Sequence, residues 1–315
     1  MSTLFPNLAP PSTAHTAYDY AHVDVFAERP LEGNQLAIFT DARGLSDADM
    51  QALARETNFS ETTFILPRDP HVEHECGVRV RIFTRAEELP FAGHPTLGTA
   101  SWLYWNHPWL RAAEEIVLDL NVGPIPVRFT PSRINDQGIF GRMRQNDPVF
   151  GESQSHDEVA RVLQLPLDHL DPSLPVQTVS TGNPFCIVPL RSLEAASKLS
   201  VPQTPEVSEY LARCQAKFFY FITRAGSSVD ADWHARMMFY GAEDPATGSA
   251  AGPAIAWLVR HGVVESERQI VIEQGIEMLR PSRLYVSAKR DGEKISAVCV
   301  GGRTILVALG RLFLP

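Results

Sequence analysis

This 315-residue chain repeats itself, and that most limits what it can fold into. Gly33-Asn34-Gln35-Leu36-Ala37-Ile38-Phe39 is echoed by Gly182-Asn183-Pro184-Phe185-Cys186-Ile187-Val188, each a Gly-Asn turn entering an apolar β-run. His94-Pro95-Thr96-Leu97-Gly98-Thr99-Ala100 matches Asp244-Pro245-Ala246-Thr247-Gly248-Ser249-Ala250 in the pattern x-Pro-x-x-Gly-[Ser/Thr]-Ala. Asn34 and Asn183 are 149 residues apart, and His94 and Asp244 are 150 apart. Within the halves the two motifs lie 60 and 61 residues from each other. Two short patterns keeping register to one residue over that distance mark a duplication.

Local patterning predicts two like units. Tyr20–Phe26, Thr63–Leu66, Val78–Thr84, Ile116–Leu120 and Ile125–Thr130 read as strands, being rich in β-branched and aromatic residues. Their counterparts are Gln177–Ser180, Phe185–Pro189, Phe218–Ile222 and Ala235–Phe239. Leu284–Ala288, Ser296–Val300 and Thr304–Leu309 form an alternating tail. Ser46 to Glu56 reads as a helix with Ser46 at its N-cap and Asp49 three residues on. Pro95–Trp105 and Pro245–Arg260 read as helices opened by proline. The fold class is therefore α+β: two β-rich, barrel-like domains with one central helix each. Expected bounds are a flexible extension at 1–19, a first domain at 20–128 and a second at 129–302. The cluster Gly123, Pro124, Pro126 and Pro131 marks the boundary.

Composition removes several function classes. The net charge of -9 and the lack of any Lys/Arg cluster argue against nucleic-acid binding. No apolar run approaches the roughly 20 residues that cross a bilayer, and the Pro-rich start lacks the features of a signal peptide. A cytoplasmic protein is the expectation. Cys76, Cys186, Cys214 and Cys299 are scattered and read as small hydrophobes in a reducing compartment. His71, His74 and Cys76 could hold a metal, but their acidic neighbours suggest a solvated loop. GxGxxG helix openings, P-loops and GxSxG elbows are absent from the sequence.

The chemistry-bearing residues cluster at the repeats. A helix start offers unpaired N–H groups and the positive end of the macrodipole, so two mirrored starts could clamp one carboxylate. Gly98 and Gly248 would permit close approach of a ligand or of backbone, while Thr99 and Ser249 add hydroxyls. His94 and Asp244 stand at the two helix mouths, where titratable groups could exchange protons. The plainer alternatives are a structural histidine, an N-cap aspartate and a helix-starting Pro245. Glu61, between Phe59 and Phe64, reads either as a strand-edge glutamate facing water or as a base in a partly apolar pocket. The matching stretch Lys217-Phe218-Phe219-Tyr220 has no acid, which implies a single main base.

Asp24-Val25-Phe26, Gly33-Asn34, Glu56 to Phe64, Glu88 to Ala100 and Glu243 to Ala251 together resemble the PhzF-like, phenazine-biosynthesis family, in order from about residue 20 to the C-terminus. The resemblance implies the diaminopimelate-epimerase fold, with pseudo-symmetric barrels, an active site in the cleft and a last strand, about 303–315, returning to the first domain. It implies a cofactor-independent isomerase, with dimers common. Glu61 would shuttle a proton on a small unsaturated carboxylic acid of the dihydro-hydroxyanthranilate type, and His94 and Asp244 would relay protons or orient the substrate. Gly248, Ser249 and Gly93 would bind it, with Asn34 and Asn183 as site walls. Related racemases place a cysteine at each helix mouth. Here His94 and Asp244 stand there, which disfavours two-thiol racemisation. Epimerisation next to a carboxylate, or ligand binding without turnover, remain the rival expectations.

Overall fold

The structure, a computed structural model, describes residues 16–130, 138–224, 226, 228–239 and 241–314. The chain divides into two units, residues 1–143 with 303–315, and residues 144–302.

The first unit runs β1 (Thr16–Val25), β2 (Asn34–Phe39), α1 (Asp47–Thr57), β3 (Glu61–Ile65), α2 (Pro70–Cys76), β4 (Val78–Thr84), β5 (Glu88–Leu89), α3 (Gly93–Asn106), β6 (Glu115–Leu120), β7 (Gly123–Thr130) and β8 (Ile139–Arg144). The second runs β9 (Val149–Gln154), α4 (His156–Leu163), β10 (Val176–Ser180), β11 (Pro184–Pro189), α5 (Leu193–Ser197), α6 (Pro205–Arg213), β12 (Phe218–Arg224), β13 (Trp233–Arg236), β14 (Met238–Phe239), β15 (Ala242–Glu243), α7 (Gly248–Arg260), β16 (Ile270–Gln274) and β17 (Ser282–Asp291), and β18 (Lys294–Leu314) starts in it and ends in the first unit.

The duplication is visible in how the strands pair. In the first unit β1–β2 is antiparallel, β2–β3 parallel, β3–β4 antiparallel, β4–β6 parallel and β6–β7 antiparallel. In the second, β10–β11, β11–β12, β12–β13, β13–β16 and β16–β17 follow the same order of senses. A parallel pair needs a crossover, and in each unit the second crossover contains the central helix, α3 or α7. β1, β2, β3, β4, β6, β7, β8 and β18 close a ring in the first unit, because β18 lies beside β8 and also pairs with β1.

Both central helices are buried almost all round, as an apolar helix without a polar face must be. α3 packs on β1, β2, β3, β6 and β7, and α7 packs on β10, β11 and β17. Gly98 makes the first packing possible: a Cβ there would meet Leu36 Cδ2 at 2.6 Å and Val25 Cγ2 at 2.8 Å. Of the two roles expected for this glycine, the structure shows approach to its own sheet. Helices α1, α4, α5 and α6 pack on other apolar side chains of the strands. Met50, Leu53 and Ala54 of α1 join Phe39, Phe64 and Phe83, while Val159, Ala195 and Tyr210 of α4, α5 and α6 join Val188, Phe219 and Phe221.

Several local expectations change. Residues 16–19 belong to β1, paired with β18, rather than to an extension, and residues 1–15 lie outside the described ones. The Gly123–Pro126 cluster opens β7, whose pairing with β8 keeps the chain in the first unit to residue 143. The 71–76 segment is helical, started by Pro70 after an Asp69 cap. Ser296–Val300 and Thr304–Leu309 are parts of one strand, β18.

Candidate active site

Strand alternation decides where Glu61 points. β3 lies between β2 and β4, with Glu61 opposite Leu36 and Thr84, so it is not an edge strand. Residues two apart share a face. Thr63 accepts a 2.9 Å hydrogen bond from the Thr99 hydroxyl of α3, so Glu61 shares the face turned to the central helix. Phe64 is on the opposite face, stacked on Phe39, and Phe59 lies against His22 with the rings tilted at 36°. Phe64 therefore does not bracket Glu61. Burial comes instead from α3: the Glu61 side chain is 14% exposed, and its Oε2 lies 3.7 Å from His94 Nε2.

His94 is the second residue of α3, and its side chain is 4% exposed. Burial, opposed only by a backbone contact with Gln35, pushes the imidazole down to about 3. A protonated ring at this distance would form an ion pair with Glu61, but desolvation prevails and the ring is neutral at ordinary pH. At 3.7 Å the contact is also longer than a hydrogen bond. Asn34, buried at the start of β2, places its amide nitrogen 3.3 Å from His94 Nδ1. The structure thus gathers Glu61, His94 and Asn34. Gly93 and His94, in the first turn, donate their backbone N–H groups to no described residue.

The second unit builds a different helix start from the matching residues. α7 begins at Gly248 with Thr247 at the N-cap, so Pro245 is not a helix starter and Asp244 is not the N-cap. Asp244, 6% exposed, instead directly follows β15, and its N–H donates to Met237 O at 2.9 Å. Its Oδ2 accepts a 2.6 Å bond from the Thr247 hydroxyl. Gly248 and Ser249 donate their backbone N–H groups to no described residue, whereas Ala250 and Ala251 both donate to Thr247 O. That leaves two N–H groups at the positive end of a 13-residue helix.

Three residues absent from the sequence reading hold this start in place. Gln274 bonds to Asp244 and Thr247. Gln145 donates to Gly248 O at 2.9 Å and accepts from the Thr181 hydroxyl at 2.5 Å. The one signal they gave was polarity in apolar surroundings, as in Ile270-Val271-Ile272-Glu273-Gln274. Asn183, the repeat of Asn34, is half-buried and makes no side-chain hydrogen bond to a described residue.

Away from these groups, His234 sits between Glu273 Oε1 and Glu277 Oε1, each at 3.1 Å. Burial alone would lower it, but those hydrogen bonds and charges raise it to about 9, so it is a cation. Among the described residues no group of three His, Cys, Asp or Glu side chains is arranged to hold a metal. No cysteine lies at either helix start. Cys76 closes α2, Cys186 and Cys214 are buried in the second unit, and Cys299 is in β18.

Two matched halves on central helices, with a carboxylate beside an imidazole at one helix start, define a protein of the epimerase-like α+β class. Within it, the chain belongs to the phenazine biosynthesis-like (PhzC-PhzF) family, whose profile matches residues 23–310. A trans-2,3-dihydro-3-hydroxyanthranilate isomerase of Pseudomonas aeruginosa is 36% identical, covering 94% of this chain and 99% of that protein. A solved structure of a PhzF-family phenazine biosynthesis protein from Bacillus anthracis superposes with a TM-score of 0.82 at 27% identity, over 95% of this chain and all of that one. Another, of a predicted epimerase from Pseudomonas aeruginosa, gives 0.78 at 36% identity, over 94% and 99% of the two chains.

Proposed function

We propose that Glu61 shuttles a proton on a small unsaturated carboxylic acid of the dihydro-hydroxyanthranilate type, an isomerisation without net oxidation. A C–H bond next to the conjugated system breaks, and its proton passes to the Glu61 carboxylate. The electron pair spreads along the double bonds, and the same proton forms a new C–H bond elsewhere. Atoms and electrons balance within the substrate, so the step needs no co-reactant. The observation behind the assignment is the half-buried Glu61 carboxylate 3.7 Å from a neutral imidazole. A carboxylate held there can accept a proton and return it. A neutral His94 can hydrogen-bond a substrate polar group without drawing Glu61 into an ion pair.

In this reading Asp244 orients the substrate, and the N–H groups of Gly248 and Ser249 bind its carboxylate. Gly93 and Asn34 contribute at the first helix start. Asn183 is kept in the proposal as a wall residue. The test is incubation with trans-2,3-dihydro-3-hydroxyanthranilate in deuterated water. Product of unchanged composition, partly deuterated at the new C–H position, supports the assignment. Full recovery of unaltered, unlabelled compound refutes it and favours a binding protein.

Epimerisation at a carbon next to a carboxylate is the second reading, favoured by the likeness to the predicted epimerase. It would place deuterium at the original carbon and yield both stereoisomers. The lack of a cysteine at either helix start weighs against its two-thiol form.

A further inference from the structure

The matched motifs start their helices differently. α3 includes His94 in its first turn, whereas α7 begins at Gly248 after its Thr247 cap, leaving Asp244 outside the helix. Something else must fix the Asp244 carboxylate and keep the first N–H groups of α7 available.

We propose that Gln274, the last residue of β16, is the positioning residue for the second helix start, an inference that rests on the functional reading above. Its side chain is fully buried. The amide nitrogen donates to Asp244 O at 2.7 Å and to Thr247 Oγ1 at 2.9 Å. The amide oxygen accepts from Thr247 N at 3.1 Å and from the Tyr220 hydroxyl at 3.3 Å. These bonds use both donors and both lone pairs of the amide. They also fix its orientation, because a flipped amide would set N–H against N–H at Thr247 and oxygen against oxygen at Asp244.

The consequence reaches the site in two ways. Thr247 accepts from Gln274 and donates to Asp244 Oδ2, so an ordered chain of donors runs from the amide to the carboxylate. Because Thr247 N is held by Gln274, the helix start is anchored one residue before Gly248, and the Gly248 and Ser249 N–H groups stay available. Tyr220 completes the anchor from β12. Burial and the nearby Asp244 charge both push its phenol up, so it remains a neutral donor. Gly275, at φ 76°, turns the chain immediately after Gln274 where a Cβ would lie 2.6 Å from Pro245 O, so the two segments are packed backbone to backbone.

A double-mutant cycle tests the chain of donors. Gln274→Met keeps volume and removes all four bonds, and Thr247→Val removes the hydroxyl while keeping shape. Each is expected to lower kcat at least about 10-fold per folded molecule, with a smaller change in KM. The double variant should fall no further than the worse single, and Thr247→Ser should restore most of the loss. Multiplicative losses, or an unchanged kcat, overturn the proposal.

Amide hydrogen exchange gives a readout independent of turnover. In Gln274→Met the Thr247 N–H should exchange at least about 10-fold faster while Leu258 and Val259 keep wild-type protection. Unchanged Thr247 exchange, or loosening of all of α7, counts against positioning. A wild type that never turns over the dihydro-hydroxyanthranilate refutes the functional reading, and exchange at Thr247 then decides the role of Gln274 on its own.

Discussion

Acidification should destabilise this protein through one histidine. His94 titrates at about 3 in the fold, against an ordinary value of 6.5, because burial disfavours the imidazolium. Between those values the unfolded chain holds a proton that the folded chain does not, so stability falls as pH falls. From pH 7 to pH 5 the unfolded state goes from about one-quarter to almost fully protonated at this site, which integrates to about 2 kcal/mol. The assay is urea unfolding of wild type and His94→Gln at both values. The variant cannot titrate there, and its carboxylates change in parallel with those of wild type, so the difference isolates His94. Wild type should lose about 2 kcal/mol more than the variant over this interval. Equal losses, or an imidazole resonance titrating near its ordinary value in the folded protein, would refute the argument that burial dominates over Glu61.

His234 should behave in the opposite sense. Its value is raised to about 9 by Glu273 and Glu277, so its stabilisation is fully present below about 6.5 and is lost as pH rises through 9. The deficit in His234→Gln should be about 3 kcal/mol near pH 7 and shrink steadily toward pH 10, as measured by thermal unfolding. Ser46→Ala should cost about 1 kcal/mol, because Ser46 and Asp49 form a reciprocal capping box on α1; circular dichroism melts read it directly. Gly33→Ala should cost more, about 1–3 kcal/mol in urea unfolding, since φ is +69° and the new Cβ would lie 2.4 Å from Val25 O.

What the sequence made legible follows from how local each cause is. The α1 cap was readable because Ser46 and Asp49 satisfy each other within one turn. β4 was readable because its apolar alternation begins after Gly77, whose φ of +88° ends α2. The start of α7 was not. His94-Pro95 and Asp244-Pro245 look alike, but Gln274, thirty residues later, captures Thr247 and delays the second helix. The unity of β18 was hidden in the same way. Gly301-Gly302 suggests a break, yet pairing to β17 over 294–301 and then to β1 over 304–314 carries the strand through. Glu61 and His94 were marked as titratable groups at promising positions. That Asn34 bonds to His94 while Asn183 makes no side-chain hydrogen bond to a described residue depends on packing that the repeat does not preserve.

The central claim is that the carboxylate of Glu61 moves the proton, and a single substitution tests it. Glu61→Gln keeps size and hydrogen-bonding capacity but removes the base. With trans-2,3-dihydro-3-hydroxyanthranilate in deuterated water, turnover and label uptake should both fall at least about 100-fold, with the fold and thermal midpoint near those of wild type. A correctly folded Glu61→Gln that converts and labels this compound at the wild-type rate would contradict it.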